Sequence, residues 1–293
     1  MGNIIYTFII PHKNCPDLLN RCVSSIPVRN DIQIVIIDDN SDEDKKPSII
    51  RDGLETILLN SEQSKGAGRA RNVGLDHAKG KWLLFADADD YFSENLPKLM
   101  DKFQSDETTD IVYLSASKFD EKGTFSKINE SKLVNDYLQN RPKAELRLRC
   151  ELWTPWSRMV KRDVVVNNNI RFDEIPAAND KMFGLLSSKF SKTIAVEGDV
   201  IYYYYRPSFN SQTDKKRNNL MFDDILSLRS RTIAIYKELG YKPIPSFYGL
   251  IFGSKYSKDI DKSRRFSIYK AILKNNNIPL CLDVIRYFRE ILK

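Results

Sequence analysis

Residues 32–38 read "IQIVIID", a β-branched run too continuous for a strand with one wet face. It must be buried on both sides, which places it inside a sheet layered with helices. Its surroundings agree. "IIYTFII" (4–10) is an apolar run ended by Pro11, and "CPDLLNRCVSSI" (15–26) spaces Leu18, Leu19, Cys22, Val23 and Ile26 as one helical face. "ETILLN" (55–60) reads as a strand, "GRARNVGLDHAKG" (68–80) as a helix stopped by Gly80, and "KWLLFAD" (81–87) as a further strand. Alternation of this kind predicts an α/β fold with right-handed crossovers and a mostly parallel central sheet. Ligands on such sheets bind outside the carboxyl ends of the strands. The unusual polar stretches "DDNSD", "NSEQSKGAG" and "DADD" all fall at those ends.

Downstream, "DIVYLSAS" (110–117) is a strand candidate and 129–150 is helical in pattern. "SRMVKRDVVVNNN" (157–169) predicts a short strand and helix, "KMFGLLSSKF" (181–190) a helix, and "DVIYYYYRP" (199–207) a strand ended by Pro207. Residues 215–239 predict a long helix with Gly240 as its C-cap.

A hydrophobic fraction of 42% with 11% aromatics supports a packed core and excludes global disorder. Two histidines, His12 and His77, are too few for a histidine-rich zinc site, so a catalytic metal would have to sit on oxygen ligands. The four cysteines show no CxxC spacing and no leader-like segment precedes the first strand, the pattern of reduced thiols in a cytoplasmic protein. No run of about 18 apolar residues is present to span a membrane. The net charge of +7 is unevenly placed: residues 241–293 carry 11 basic and 4 acidic groups, and the rest of the chain balances.

"FADADDYF" (85–92) crowds Asp87, Asp89 and Asp90 at the end of a buried strand. A divalent cation bound together with phosphates would relieve their repulsion, since Mg²⁺ and Mn²⁺ favour carboxylate oxygens and keep few protein ligands. An EF-hand is excluded, because its glycine and glutamate positions counted from Asp87 hold Phe92 and Lys98. A solvated turn, with Asp90 or Ser93 capping the helix "ENLPKLMDKF", fits the same residues. "IIDDNSD" sets Asp38 and Asp39 where a carboxylate can accept hydrogen bonds from a base or ribose, or stabilise an Asx turn. In "KGAGRARNVG", Gly66 and Gly68 would let the backbone approach a ligand, and the helix they open offers free N–H groups to an anion.

In combination these stretches resemble the family 2 glycosyltransferases of the GT-A fold. That family runs from "IIIPxYN" through "VDDxSxD" and "NxGxxxARNxGxxxAxG" to "FxDxDD". This chain has "FIIPHKN" (8–14), "IIDDNSDED" (36–44), "NSEQSKGAGRARNVGLDHAKG" (60–80) and "LLFADADD" (83–90) in the same order and spacing. "PWSRMVKRDVVVNNNIRFDE" (155–174) resembles the family's tryptophan–basic segment, and "AANDKMF" (177–183) stands where the family carries an acidic pair. The resemblance covers roughly residues 5–212, implying a GT-A catalytic domain over 1–212 and a helical, basic C-terminal region over 213–293.

The resemblance implies an inverting transferase that uses a nucleotide-sugar donor, expected to be a UDP-sugar, with Mn²⁺ or Mg²⁺. It implies donor contacts from Pro11, Asn14, Asp38, Gly66, Arg71, Asn72 and Ala88, with Asp39 against the uracil. Asp87 would hold the ribose or a metal-bound water, and Asp89 would ligate the metal; Asp90 is assigned to capping the next helix. Inversion needs a base to take the acceptor hydroxyl's proton, and Asp180 matches the second acid of the family's pair. Asn179 replaces the first acid, and Asp173 and Glu174 are fallback bases unless they pair with Arg171. Trp156 could stack on a sugar ring. Arg206 could meet the diphosphate if the loop "YYYYRPSFNSQTDKKR" closes over it.

The expected acceptor is a glycan or lipid-linked glycan, in synthesis of a surface polysaccharide such as a capsule. "CLDVIRYFREIL" (281–292) is a basic amphipathic pattern suited to an anionic membrane face or to packing on the catalytic domain or a second subunit. No nucleic-acid motif is present. A sugar-nucleotide-binding protein without transfer activity is the main alternative. A nucleotidyltransferase is disfavoured, because "PHKNCPDLL" stands where its Gly- and Arg-rich loop should be.

Overall fold

The computed structural model describes residues 3–120, 122–141, 143–206 and 219–241. Tyr6–His12 forms β1 and Ile32–Asp38 forms β2, and every residue of both is buried. Their side chains divide by parity, as strand geometry requires. Tyr6, Phe8, Ile10, Ile32, Ile34 and Ile36 enter one apolar layer, and Ile9, Val35 and Ile37 enter the other.

Helix α1 (Pro16–Ser24) follows β1, β3 (Leu54–Leu58) follows β2, and α2 (Ala67–His77) leads into β4 (Trp82–Phe85). These four strands are parallel, in the order β3-β2-β1-β4. Next come β5 (Tyr91–Phe92), α3 (Leu96–Phe103), β6 (Ile111–Phe119), β7 (Phe125–Lys127), α4 (Asn129–Gln139) and α5 (Glu145–Glu151). The unit closes with β8 (Arg158–Lys161), α6 (Arg162–Asn167), α7 (Lys181–Phe190) and β9 (Ile194–Tyr205). The sheet continues β4-β8-β6-β9-β5, with β7 on β6, so its second half is mixed and the parallel character belongs to the first four strands. Helices α1 and α3 cover one face; α2 and α4 to α7 cover the other.

Several boundaries differ from the pattern for physical reasons. β1 runs through Pro11 to His12; Pro11 pairs with Ile37 but lies past Ile9, the last residue paired with β4. Gly80 does not stop α2, which ends at His77 with Ala78 extended. Gly80 is needed for packing instead: a Cβ there would lie 2.7 Å from the Thr7 nitrogen. The helical stretch 129–150 is two helices, broken before Pro142, whose ring disfavours helix at the preceding residue.

The chain divides into two compact units, Met1–Ser211 and Gln212–Lys293. The described part of the second is α8 (Asn219–Glu238) and its cap. There Gly240 takes φ +70° and its N–H donates to Lys237 O, while Tyr241 N–H donates to Tyr236 O. That is a Schellman ending, so Gly240 does close the helix. The expected basic helix at 281–292, Cys281, and the loop residues 207–218 lie outside the described residues. No described helix is long and apolar enough to cross a membrane.

Candidate active site

The carboxyl ends of β1, β2 and β4 meet at the point where strand order reverses, the position at which open α/β sheets bind ligands. Asp38, ending β2, is 1% exposed and fully engaged inside the protein. Its Oδ1 accepts from Ser41 Oγ (2.5 Å) and its Oδ2 from Ser41 N–H (3.0 Å). The Cys15 N–H donates to His12 Nε2, leaving the ring proton on Nδ1, 2.7 Å from Asp38 Oδ1. Asn14, at φ +58°, ties the two loops: its N–H donates to Ser41 Oγ and its Oδ1 accepts from Asp42 N–H. Asp38 and Asn14 therefore organise the loop that presents Asp39. The Asp39 carboxylate sits between Lys13 Nζ (3.7 Å) and the Gly66 N–H (3.3 Å).

The two glycines before α2 do different things. Gly66 takes φ +84°, ψ −176°, a conformation for glycine, with open space where a Cβ would stand. Gly68 meets no ligand space: a Cβ there would be 2.1 Å from the Asp173 carbonyl oxygen, so α2 rests directly on the segment leading to Asp180. Asn72 pins the same segment, donating to Phe172 O and accepting from Phe172 N–H, which uses its amide within the protein. Arg171 pairs with Asp76, and Glu174 lies against Arg69 and Asn72.

Arg71, 5% exposed, joins the acidic loop to the Asp180 segment. It donates to Asp87 Oδ1 at 2.5 Å and to Asn179 Oδ1 at 3.0 Å. Ala178, just before this contact, is held at φ +53°, a strained setting for a non-glycine residue. Asp180 follows at the start of α7, half-buried. Burial raises its pKa; the Arg71 charge opposes the rise and Asp87 adds to it.

The three aspartates after β4 separate clearly. Asp90 is fully buried and caps no helix. Its Oδ2 accepts from Tyr202 OH (2.7 Å) and its Oδ1 from Tyr205 N–H (2.7 Å), so it anchors β9 under the acidic loop. Asp87 and Asp89 remain half-buried. Burial, with the Asp87 charge, pushes Asp89 up to about 6. Asp89's carbonyl accepts from Arg21 (2.5 Å), whose guanidinium lies 5.1–5.7 Å from the centroids of Tyr91, Phe119 and Tyr205. Ala88 between the two acids is 5% exposed.

Two carboxylates burdened by each other's charge form an oxygen donor set suited to Mg²⁺ or Mn²⁺. No group of three or more metal-ligating side chains occurs among the described residues, so other oxygens, such as donor phosphates, would have to complete a shell. Trp156 is not placed to stack on a sugar: it is 7% exposed, in the core, with its ring stacked on Tyr202 and Tyr204. Arg206 is exposed, its N–H bonded to Phe119 O. The sequence pattern passed over Arg21, His12 and Tyr202. Tyr202 left one trace, the inward phase of "IYYYY", but nothing marks Arg21.

The fold is that of the GT-A class of glycosyltransferases. The chain matches the model of "Glycosyl transferase family 2" over residues 7–165, more than half its length, and belongs to that family; it is a glycosyltransferase. It is 26% identical over 221 residues to the glycosyltransferase GlyG of Streptococcus pneumoniae, covering 70% of this chain and 71% of that protein. It is 24% identical over 209 residues to the poly(ribitol-phosphate) beta-N-acetylglucosaminyltransferase TarS of Staphylococcus aureus, covering 68% of this chain and 35% of TarS. The crystal structure of S. aureus TarS 1-349 in complex with UDP-GlcNAc superposes with a TM-score of 0.62 at 18% identity, over 92% of this chain and 72% of that one, a likeness of fold.

Proposed function

We propose that the protein transfers a sugar, with inversion, from a UDP-sugar to a hydroxyl of a glycan or lipid-linked glycan acceptor in surface polysaccharide synthesis. The observation that carries this reading is one continuous network. Arg71 links Asp87 of the acidic loop to Asn179, the neighbour of Asp180, at the carboxyl ends of the strands. Asp180 is the proposed base. Burial raises its pKa, the direction that makes a carboxylate a stronger base toward a bound hydroxyl. Asp39, between Lys13 and Gly66, is the proposed contact to the nucleoside. Arg71 donates to Asp87 and to the neutral Asn179 amide, and among the described residues its buried Nε has no hydrogen-bond partner.

Asp89 and Asp87 would hold Mn²⁺ or Mg²⁺ with the donor's diphosphate, where the ion supplies charge stabilisation for the leaving nucleoside diphosphate. Residues 1–212 are proposed as the catalytic domain. The basic region 213–293 is proposed to meet an anionic membrane face, which would place the enzyme peripherally on the cytoplasmic side. TarS has been crystallised with UDP-GlcNAc, which makes that donor the first to try.

A UDP-sugar panel with Mn²⁺, read by calorimetry and by product formation, tests the reading. Asp89→Ala should lose metal-dependent donor binding. Asp180→Asn should keep binding and lose about a thousandfold or more in turnover. Normal turnover by Asp180→Asn would remove Asp180 as the base.

A further inference from the structure

At the opposite end of the sheet, below the amino ends of β1, β4 and β6, lies a cavity of about 760 Å³. That volume falls in the range of small-ligand sites. Three separate segments bring five cations to it: Lys79 and Lys81 before β4, Lys161 and Arg162 at the β8–α6 junction, and Lys192 after α7. Three acids share the lining, and two of them are committed. Glu107 pairs with Lys81 (2.6 Å), and Asp110 Oδ2 accepts the N–H groups of Lys192 and Thr193. Asp163 is the third, exposed beside Arg162. Among the described residues, the side chains of Lys79, Arg162 and Lys192 meet no carboxylate and no hydrogen-bond acceptor, and the Nε of Arg162 is buried without a partner.

The walls are held rigidly. Lys79 N–H donates to Gln33 Oε1 and Gly80 N–H to Thr7 Oγ1, while Arg162 N–H donates to Lys81 O and Lys161 N–H to Asp110 O. The cations are thus carried by backbone already ordered without a ligand, the arrangement that lowers the entropy cost of binding. An unpaired guanidinium N–H and two unpaired ammonium groups on one lining are donors of the kind that phosphate oxygens accept from.

We propose that this cavity is a second anion site, specific for phosphate groups and separate from the donor site. The phosphate could belong to a soluble molecule or to a lipid headgroup, and the test distinguishes the two. Pyrophosphate is titrated into the full-length protein in EDTA, where metal-dependent binding at the acidic loop is suppressed. The comparison is Lys79→Gln/Arg162→Gln/Lys192→Gln, whose Tm without ligand checks that it folds. Arg162→Gln alone serves if the triple variant does not fold. The proposal expects at least a tenfold loss of pyrophosphate affinity in the variant, with UDP-sugar turnover unchanged. Flotation with phosphatidylglycerol vesicles, against phosphatidylcholine, then assigns the source. Variant-sensitive flotation points to a lipid headgroup, and equal flotation of both proteins points to a soluble phosphate. Equal pyrophosphate affinity in the two proteins, or none in either, would overturn the site.

Discussion

The Tyr202 phenol donates to the buried Asp90 carboxylate at 2.7 Å while accepting the Asp87 N–H at 2.9 Å. One hydroxyl on β9 thus holds both ends of the acidic loop. Burial and the charges of Asp87 and Asp89 raise the pKa of Asp90 well above its usual range. Tyr202→Phe would leave a buried acceptor and a backbone donor one partner short each, at a cost of about 1–3 kcal/mol. Urea unfolding should show that loss, and calorimetry should show weaker metal-dependent UDP binding. Unchanged UDP affinity in a destabilised variant would confine Tyr202 to the core.

The paired glycines allow a controlled comparison. At Gly68 a Cβ would collide with the Asp173 carbonyl, whereas at Gly66 it has room and suffers only the strain of φ +84°. Gly66→Ala should cost about 1–3 kcal/mol, because φ +84° with ψ −176° is a region open essentially to glycine alone. Gly68→Ala must also push the Asp173–Asn179 segment aside, so it should reduce kcat by more than its loss of stability explains. Thermal unfolding and steady-state kinetics on both variants make the comparison.

Asp89 titrates near 6 in the fold, against about 3.9 in an unfolded chain. Between those values the native state holds a proton that the unfolded state has lost. Stability therefore falls as pH rises from about 4 to 6 and levels off above. Asp89→Asn lacks this term, so in EDTA its Tm advantage over wild type should grow across that window. A constant difference from pH 4.5 to 7 would show that Asp89 titrates normally.

Asn179→Asp would add a carboxylate beside Asp180 and draw on the Arg71 charge that now lowers the Asp180 pKa. Both effects raise that pKa. The acid limb of the kcat/KM profile should move to higher pH by roughly half a unit to one unit. An unmoved limb would mean that Asp180 does not govern it.

The strands β1, β2 and β4 are legible because an uninterrupted apolar run has few alternatives, and the polar clusters at their carboxyl ends stand out. The sequence pattern offers Asp90 as a helix cap because its actual partners, Tyr202 and Tyr205, lie more than a hundred residues along the chain. For a related reason, a sequence leaves open whether Trp156 and Gly68 face ligand or protein. Each residue type serves equally well against protein, and only the neighbours supplied by Tyr202, Tyr204 and Asp173 decide between them. β5 and β7, two and three residues long, are too short to show a period.

The pairing of β6 with β9 joins Ile111 to Ile194, and Asp90 waits for residues 202 and 205. During synthesis, β1 to β4 can therefore assemble while the acidic loop is still in water, its carboxylates fully hydrated. Their desolvation is deferred until β9 arrives, bringing the phenol and the N–H that receive Asp90 in the same step. A nascent chain stopped short of β9 would carry an acidic turn without the Tyr202 hydroxyl and the Tyr205 N–H that hold Asp90.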